Sequence, residues 1–316
     1  MIHVGFPGTL GRLIVKLCSF AVPIFYLISG YYAYDCDEST IKNRLIKILK
    51  LLLYGLIVWT ADSIFLGKGY LDFASWIKTY FGKTQIIKIL VFCTIEYAIP
   101  LWFLIALAET YLFWIFVLKL KIEWLFIRLI PMLLLFYLGI TIYCDTMRIE
   151  WFWKINFVAQ ALPWYMLGYY VNTKEGKWLL RIREKSLILS CVLGMILSIL
   201  PIIFNSRIMF SNIGCIPYAL SMFILMLRSS SYRRCEIIEY IGEKLSMDMY
   251  ILHVIVADLL TIMIRKIFKI DTASNMIFLY LRPIVGILGA VSMSYAVSSV
   301  REKYFKRKQK ILSAEV

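Results

Sequence analysis

Residues 186–206 read SLILSCVLGMILSILPIIFNS and residues 208–227 read IMFSNIGCIPYALSMFILML, with Arg207 as the single charge between them. A helix needs about 20 apolar residues to cross the hydrocarbon of a bilayer, so each run is long enough to span. Working outward, the stretches 17–34, 155–173 and 283–300 also contain no Asp, Glu, Lys or Arg. Apolar stretches broken by one or two charges lie at about 48–66, 99–118, 124–144 and 247–267. Nine spans are therefore expected. Peptide groups have no water to bond in hydrocarbon, so a spanning segment is a helix or a strand of a closed barrel. Continuous runs, rather than ten-residue alternation, predict helices.

The composition agrees. Of the 316 residues 61% are hydrophobic and 17% charged, against about 45–50% and about 25% in soluble domains. At this density of spans little chain is left for a soluble domain, and no Gly/Ser-rich or Pro-rich linker divides it. The expected fold class is an all-α polytopic membrane bundle, one membrane domain over residues 1–316. The seven cysteines are scattered, with no Cys-x-x-Cys pair, which predicts neither a disulfide framework nor a zinc site.

The net charge of +15 could point to nucleic acid, but the cations sit between spans and not on a soluble face. Assigned to alternate sides of the membrane, 22 of the 35 Lys and Arg residues fall with segments 35–50, 119–128, 173–186, 228–246 and 301–316. The richer side is expected to be cytoplasmic. This puts the C-terminus in the cytoplasm of a multi-pass cell-membrane protein, with lipids and not nucleic acid as its surroundings. Nine spans then leave Met1 on the far side, which leads us to expect a further span upstream. Between spans, YLDFASWIKTYF (70–81) carries Phe73, Trp76, Ile77, Tyr80 and Phe81 at helical spacing, the pattern of an interfacial amphipathic helix or an aromatic anchor.

No Gly-x-Ser-x-Gly, His-Glu-x-x-His, Walker or Gly-x-Gly-x-x-Gly sequence is present, so nucleotide hydrolysis and metalloproteolysis have no support. With only His3 and His253, a multi-histidine metal site is not expected. The ionisable residues in or near spans are Asp62, Glu96, Glu109, Asp248, His253 and Asp258. Each is costly in hydrocarbon, and is read either as functional or as a helix-to-helix hydrogen bond. Tyr250 lies three residues before His253 on the same face, which favours a buried structural histidine. Arg44 and Lys47 sit at i and i+3, with Lys42 and Lys50 beside them. They read either as membrane anchors or as a clamp for the phosphates of a cytosolic nucleotide-containing donor.

AVPIFYLISGYY (21–32) followed by KNRLIKILK (42–50) resembles the second and third helices of the acyltransferase-3 family of membrane O-acyltransferases. PLWFLIALAETYL (100–112) resembles that family's Leu-Trp-Phe-Leu segment, NFVAQALPWYMLGYYV (156–171) its Asn-Phe…Leu-Pro…Leu-Gly-Tyr segment, and IGEKLSMDMYILHVIV (241–256) its Ser…Tyr-x-x-His segment. YLRPIVGILGAVSMSYAVSSV (280–300) is similar to its closing helix. The likenesses follow family order along nearly the whole chain. Members typically have about ten membrane helices, so the resemblance implies that most of the first lies upstream of MIHVGFPG.

The resemblance implies transfer of an acyl group, most often acetyl from acetyl-CoA, to a hydroxyl of a surface glycan or related envelope molecule. It makes His3 the general base and matches the family's paired arginines to Arg44 and Lys47, of which Lys47 departs from the pattern, as does Ile155 before Asn156. Ser29, Tyr31, Trp102 and Asn156 lie within matching motifs and, with Glu109 and His253, are the candidates to line the path or the acceptor site. No resident cofactor is implied; acyl-CoA enters as substrate. The same helices and charge bias would also serve a glycan flippase or polymerase-type transporter, or an inactive scaffold. No inverted repeat that would favour a transporter is apparent.

Overall fold

The computed structural model describes residues 5–65, 73–204, 210–229, 235–269, 271–272 and 274–312. Its described residues contain helices and no strand, as the continuous apolar runs predict. Six helical stretches are both long and apolar enough to cross a membrane: Gly8–Tyr31, Lys83–Leu120, Glu123–Met147, Glu184–Ile203, Glu236–Phe268 and Met276–Lys303. The nine expected spans are not reached. The run at 155–173 begins with extended backbone at Asn156 and a π-turn, Phe157–Ala161, so that only Leu162–Asn172 is regular α-helix. The run at 208–227 lies partly outside the described residues and contributes an apolar helix at Ile213–Ser229.

The chain divides into two compact units, Lys16–Ser230 and Met1–Val15 with Ser231–Val316. In the larger unit the helices are α2 (Ala21–Tyr31), α3 (Glu38–Phe65), α4 (Phe73–Tyr80), α5 (Lys83–Phe92), α6 (Trp102–Leu120), α7 (Glu123–Met147), α8 (Leu162–Asn172), α9 (Glu184–Ile203) and α10 (Phe210–Ser229), preceded by the end of α1 (Gly8–Leu17). Their main pairings are α2 with α8, α3 with α6, and α9 with α10. The α5–α6 run is central, with 56% of its most apolar stretch buried, whereas for α7 and α9 the figure is 17%. Leu135 and Phe136 on α7 and Leu189 and Leu193 on α9 point outward, as the sides of helices facing lipid do.

Lipid tails are as apolar as leucine, so burial alone gives helices little reason to associate. Close backbone approach supplies one reason. A Cβ placed on Gly194 would lie 2.7 Å from the carbonyl oxygen of Gly214, and one on Gly214 would lie 2.5 Å from that of Gly194. The α9–α10 crossing therefore requires both glycines. Side chains that satisfy helix ends supply another. Asn172 Nδ2 donates to the carbonyl of Tyr31 at the end of α2 (2.9 Å), and Tyr218 Oη to that of Leu17 at the end of α1 (2.9 Å). The hydroxyls of Thr110, Thr141 and Ser198 are buried but donate to carbonyls one turn earlier.

The Lys83–Leu120 stretch is 38 residues long. Straight, it would extend about 57 Å, far more than the hydrocarbon's about 30 Å. It breaks instead at Cys93, whose φ of 53° is left-handed, and resumes as a 3₁₀ turn, Glu96–Leu101, leading into α6. The break is sealed inside protein, with Cys93, Thr94 and Ile95 all buried, the condition under which irregular backbone survives at membrane depth. The described part of the amphipathic stretch is α4. Its Trp76 is buried, donates Nε1–H to Ser63 Oγ (2.8 Å) and packs on Tyr97 at 5.2 Å, while Ile77 is exposed. The segment is thus an aromatic anchor onto the C-terminal end of α3.

In the smaller unit α11 (Glu236–Tyr240) and a π-turn (Ile241–Leu245) lead into α12 (Ser246–Phe268), which pairs antiparallel with α13 (Met276–Leu312). Two ion pairs pin these helices: Asp248 with Arg301 (2.9 Å) and Asp258 with Arg282 (3.1 Å). Phe6 packs on Tyr280 at 6.5 Å.

Candidate functional site

Asp37 fixes the start of α3. Its carboxylate accepts the backbone N–H of Thr40 (3.1 Å), the hydroxyl of Ser39 (2.7 Å) and the hydroxyl of Thr40, which satisfies donors that a helix N-terminus leaves open. The side chain lies outside the spans, and these bonds, that from the Thr40 hydroxyl above all, hold its pKa down to about 2. The next residue, Glu38, pairs with Lys119 at the C-terminal end of α6 (3.2 Å), so α3 and α6 are joined in antiparallel register at this end.

Arg44 and Lys47 project from the next two turns of α3. Arg44 is half-buried and Lys47 exposed. Arg44 Nη2 donates to Cys36 Sγ (3.5 Å), and the guanidinium lies within electrostatic reach of Tyr111 on α6 and Tyr165 on α8. Ser29 on α2 donates to the carbonyl of Phe25 (2.8 Å) and is in hydrogen-bonding reach of Tyr111. Two motifs far apart in sequence, around Ser29 and around Tyr165, thereby meet behind the cation. A half-buried guanidinium, oriented by Cys36 and carrying further N–H donors, is suited to a phosphate, and the exposed Lys47 adds a second charge on the same face.

Behind Arg44, Tyr165 and Trp114 are fully buried, with their rings 5.6 Å apart. The Tyr165 hydroxyl and Trp114 Nε1 have no hydrogen-bond partner among the described residues. A buried polar group left unpaired costs about 1–3 kcal/mol, so two neighbouring ones mark the interior face of this end as a place for an acceptor atom. Sequence reasoning passed over both. The available signal was a Tyr in the charge-free α8 and a Trp in the largely apolar α6, where Phe or Leu would pack without that cost.

The other candidates are dispersed. Tyr31 sits beside Ser29 on α2, its ring 5.8 Å from that of Phe223. Trp102 is half-buried at the opposite end of α6. Glu109 accepts from the Cys93 thiol (3.1 Å), bracing the break before the 3₁₀ turn. Asn156 caps the π-turn, accepting from the amide of Ala159 and donating to the carbonyl of Trp153, both at 2.9 Å. His253, in the smaller unit, has Nδ1 at 2.8 Å from the carbonyl of Tyr250, the bond of a structural histidine. Glu96 pairs with Lys88 at 2.5 Å. Of the ionisable residues singled out from the sequence, Glu96, Glu109, Asp248, His253 and Asp258 thus have structural partners. His3 lies outside the described residues.

The far end of the larger unit is fixed by Thr60 on α3, whose hydroxyl reaches Tyr97 of the 3₁₀ turn (3.4 Å). Along α3, Arg44 and Thr60 are about 24 Å apart at about 1.5 Å per residue. Near this end lie an apolar groove of about 580 Å³ between α3 and α5 and a separate cavity of about 370 Å³ with charged walls.

In comparison with known proteins, a family model described as an acyltransferase domain matches residues 1–300. No curated protein and no solved structure matches the chain.

Proposed function

The chain belongs to the acyltransferase-3 family, and from that premise we propose that it moves an acyl group, acetyl in the first instance, from cytosolic acyl-CoA to a hydroxyl of a cell-surface polysaccharide or other envelope glycan. The observation that carries the donor half is the half-buried guanidinium of Arg44 beside Lys47, at the end of α3 where the charge distribution points to the cytoplasm. Their charges would hold the donor's phosphates, and the thioester would extend inward toward Tyr165 and Trp114.

The chemistry is a single displacement at a carbonyl. An imidazole with an ordinary pKa near about 6.5 takes the proton from the acceptor hydroxyl as its oxygen attacks the thioester carbon, a contribution of about 10²–10⁴ in rate. His3 is assigned this role through its motif. The carbon–sulfur bond breaks, and the departing CoA thiolate recovers the proton from the imidazolium. In the intermediate the carbonyl oxygen carries negative charge, which N–H or O–H donors would stabilise in a site closed to water.

Purified protein incubated with acetyl-CoA labelled in the acetyl group and with candidate glycans tests the reading. Label in the glycan, lost in His3→Ala, is the expected result. Glycan translocation across a vesicle without label transfer would replace this reading with a transporter.

A further inference from the structure

The charged cavity at the end of the larger unit opposite Arg44 is assembled from four pieces of chain that the fold brings together: α5 gives Lys88, the break after it Thr94, the 3₁₀ turn Glu96, and the segment after α7 Glu150, Trp151 and Phe152. At about 370 Å³ it falls within the about 300–1,000 Å³ usual for small-molecule sites. Its aromatic wall is braced from behind. Phe152 lies 5.0 Å from Phe92 and beneath the Lys88 ammonium at 5.7 Å, and Trp153 lies 4.6 Å from Phe92. Trp151 remains 38% exposed, leaving apolar ring surface available.

Charge narrows what such a cavity can take. Lys88 is neutralised by Glu96, and Glu150 adds a further negative charge on an exposed side chain. Neither neighbouring cation of this segment is in the lining: Lys154 is held by Asp145, and Arg148 is exposed two residues before Glu150. The lining therefore carries a net charge of −1, which repels phosphate, carboxylate and sulfate groups. Carboxylates accept only, and bind ligands that donate. A ligand that is flat and apolar on one face, bears several hydroxyl donors at its rim, and is uncharged or cationic satisfies every wall at once.

We infer that the cavity formed by Lys88, Thr94, Glu96, Glu150, Trp151 and Phe152 is a carbohydrate-binding subsite for a neutral or amino-substituted pyranose. The carboxylates of Glu96 and Glu150 accept from ring hydroxyls, the Lys88 ammonium donates to a ring or hydroxyl oxygen, and the aromatic wall covers the C–H face of the sugar. The assignment rests on the proposed acyl-transfer function only for the use to which the bound sugar is put.

The test is saturation-transfer NMR on the full chain, purified in a detergent without a sugar headgroup, with methyl glucopyranoside, glucosamine and glucuronate as probes. Saturation is expected to reach the first two and not glucuronate. Glu150→Gln should weaken neutral-sugar binding by about tenfold, the usual consequence of removing a charged acceptor, and Glu150→Lys should turn the preference toward glucuronate. Both changes are on an exposed side chain, so folding is retained, and Trp151→Ala offers a second exposed position at which binding should fall. Absence of saturation on every probe, preference of the unaltered protein for glucuronate, or binding untouched by all three substitutions would overturn the assignment. Running the acetyl-label assay on the same preparation separates the two ideas. Sugar binding without label transfer strikes the proposed function alone, and label transfer without sugar binding strikes the cavity alone.

Discussion

Gly30 and Gly168 face each other across the crossing of α2 and α8. A Cβ on Gly30 would lie 1.8 Å from the carbonyl oxygen of Tyr165, and one on Gly168 would lie 2.1 Å from that of Leu27. Both clashes are with backbone, which cannot rotate away. Gly30→Ala or Gly168→Ala is therefore expected to force the helices apart, at about 1–3 kcal/mol or more for overpacking of this kind, and to lower the melting temperature in detergent. Gly139→Ala on α7, where nothing lies within 4 Å, should be neutral. An unchanged melting temperature in both crossing variants would contradict the interface.

Asp248 is 3% exposed and receives both contacts of Arg301, at 2.9 and 3.2 Å. Removing one partner leaves a buried charge alone, which costs about 3–5 kcal/mol, whereas removing both charges costs much less. Arg301→Ala should destabilise strongly and the double variant Arg301→Ala/Asp248→Asn should recover most of the loss. A thermal-melt double-mutant cycle measures this. Additive losses would mean that the pair contributes nothing.

Arg44 and Lys47 differ in geometry as well as in side chain. Arg44→Ala is expected to raise the Michaelis constant for acyl-CoA by more than that for the acceptor, because the proposed contact is to donor phosphates. Lys47→Arg should lower the donor constant, since it restores a planar fork in place of a point charge. Steady-state kinetics with each substrate varied in turn decides it, and a donor constant unmoved by Arg44→Ala would return that residue to membrane anchoring.

The Tyr165 hydroxyl is buried and unpaired among the described residues, so its loss relieves a desolvation cost. Tyr165→Phe is expected to leave the melting temperature unchanged or raised while lowering the turnover number. Reduced stability would mean that the hydroxyl is bonded in the native protein, and undiminished turnover would remove it from the path of the donor's thioester.

Fold class was legible because the hydrocarbon imposes a length and a composition that 186–206 and 208–227 display openly. The number of spans was not. Apolar content does not distinguish a regular helix from the extended Asn156 and π-turn at the head of 155–173, or from the break at Cys93. The site was legible at Arg44 and Lys47, where charge stands out against apolar surroundings. It was not legible at Tyr165, Trp114 or Glu150, because their roles depend on which distant segments meet. Asp248 and Asp258, open from the sequence to a functional or a structural reading, take the structural one. Cost in hydrocarbon made them stand out, Arg301 and Arg282 are the partners that explain them, and no spacing in the sequence foretells pairs 24 and 53 residues apart.

Asp37 sets the pH at which the start of α3 loosens. Its pKa in the folded protein is depressed to about 2 by the bonds from Thr40 and Ser39, against about 3.9 for a free aspartate. A depressed carboxylate contributes stability that is fully present above the unfolded value and is lost as pH falls through the folded one. The melting-temperature gap between the unaltered protein and Asp37→Ala should accordingly be constant from about pH 7 to about pH 5 and should close between about pH 4 and pH 2. Because Asp37 precedes Arg44 by two turns, the same acid range should weaken acyl-CoA binding in the unaltered protein more than in Asp37→Ala. A gap that is flat down to pH 2 would show that the cap is not formed in the membrane protein in solution.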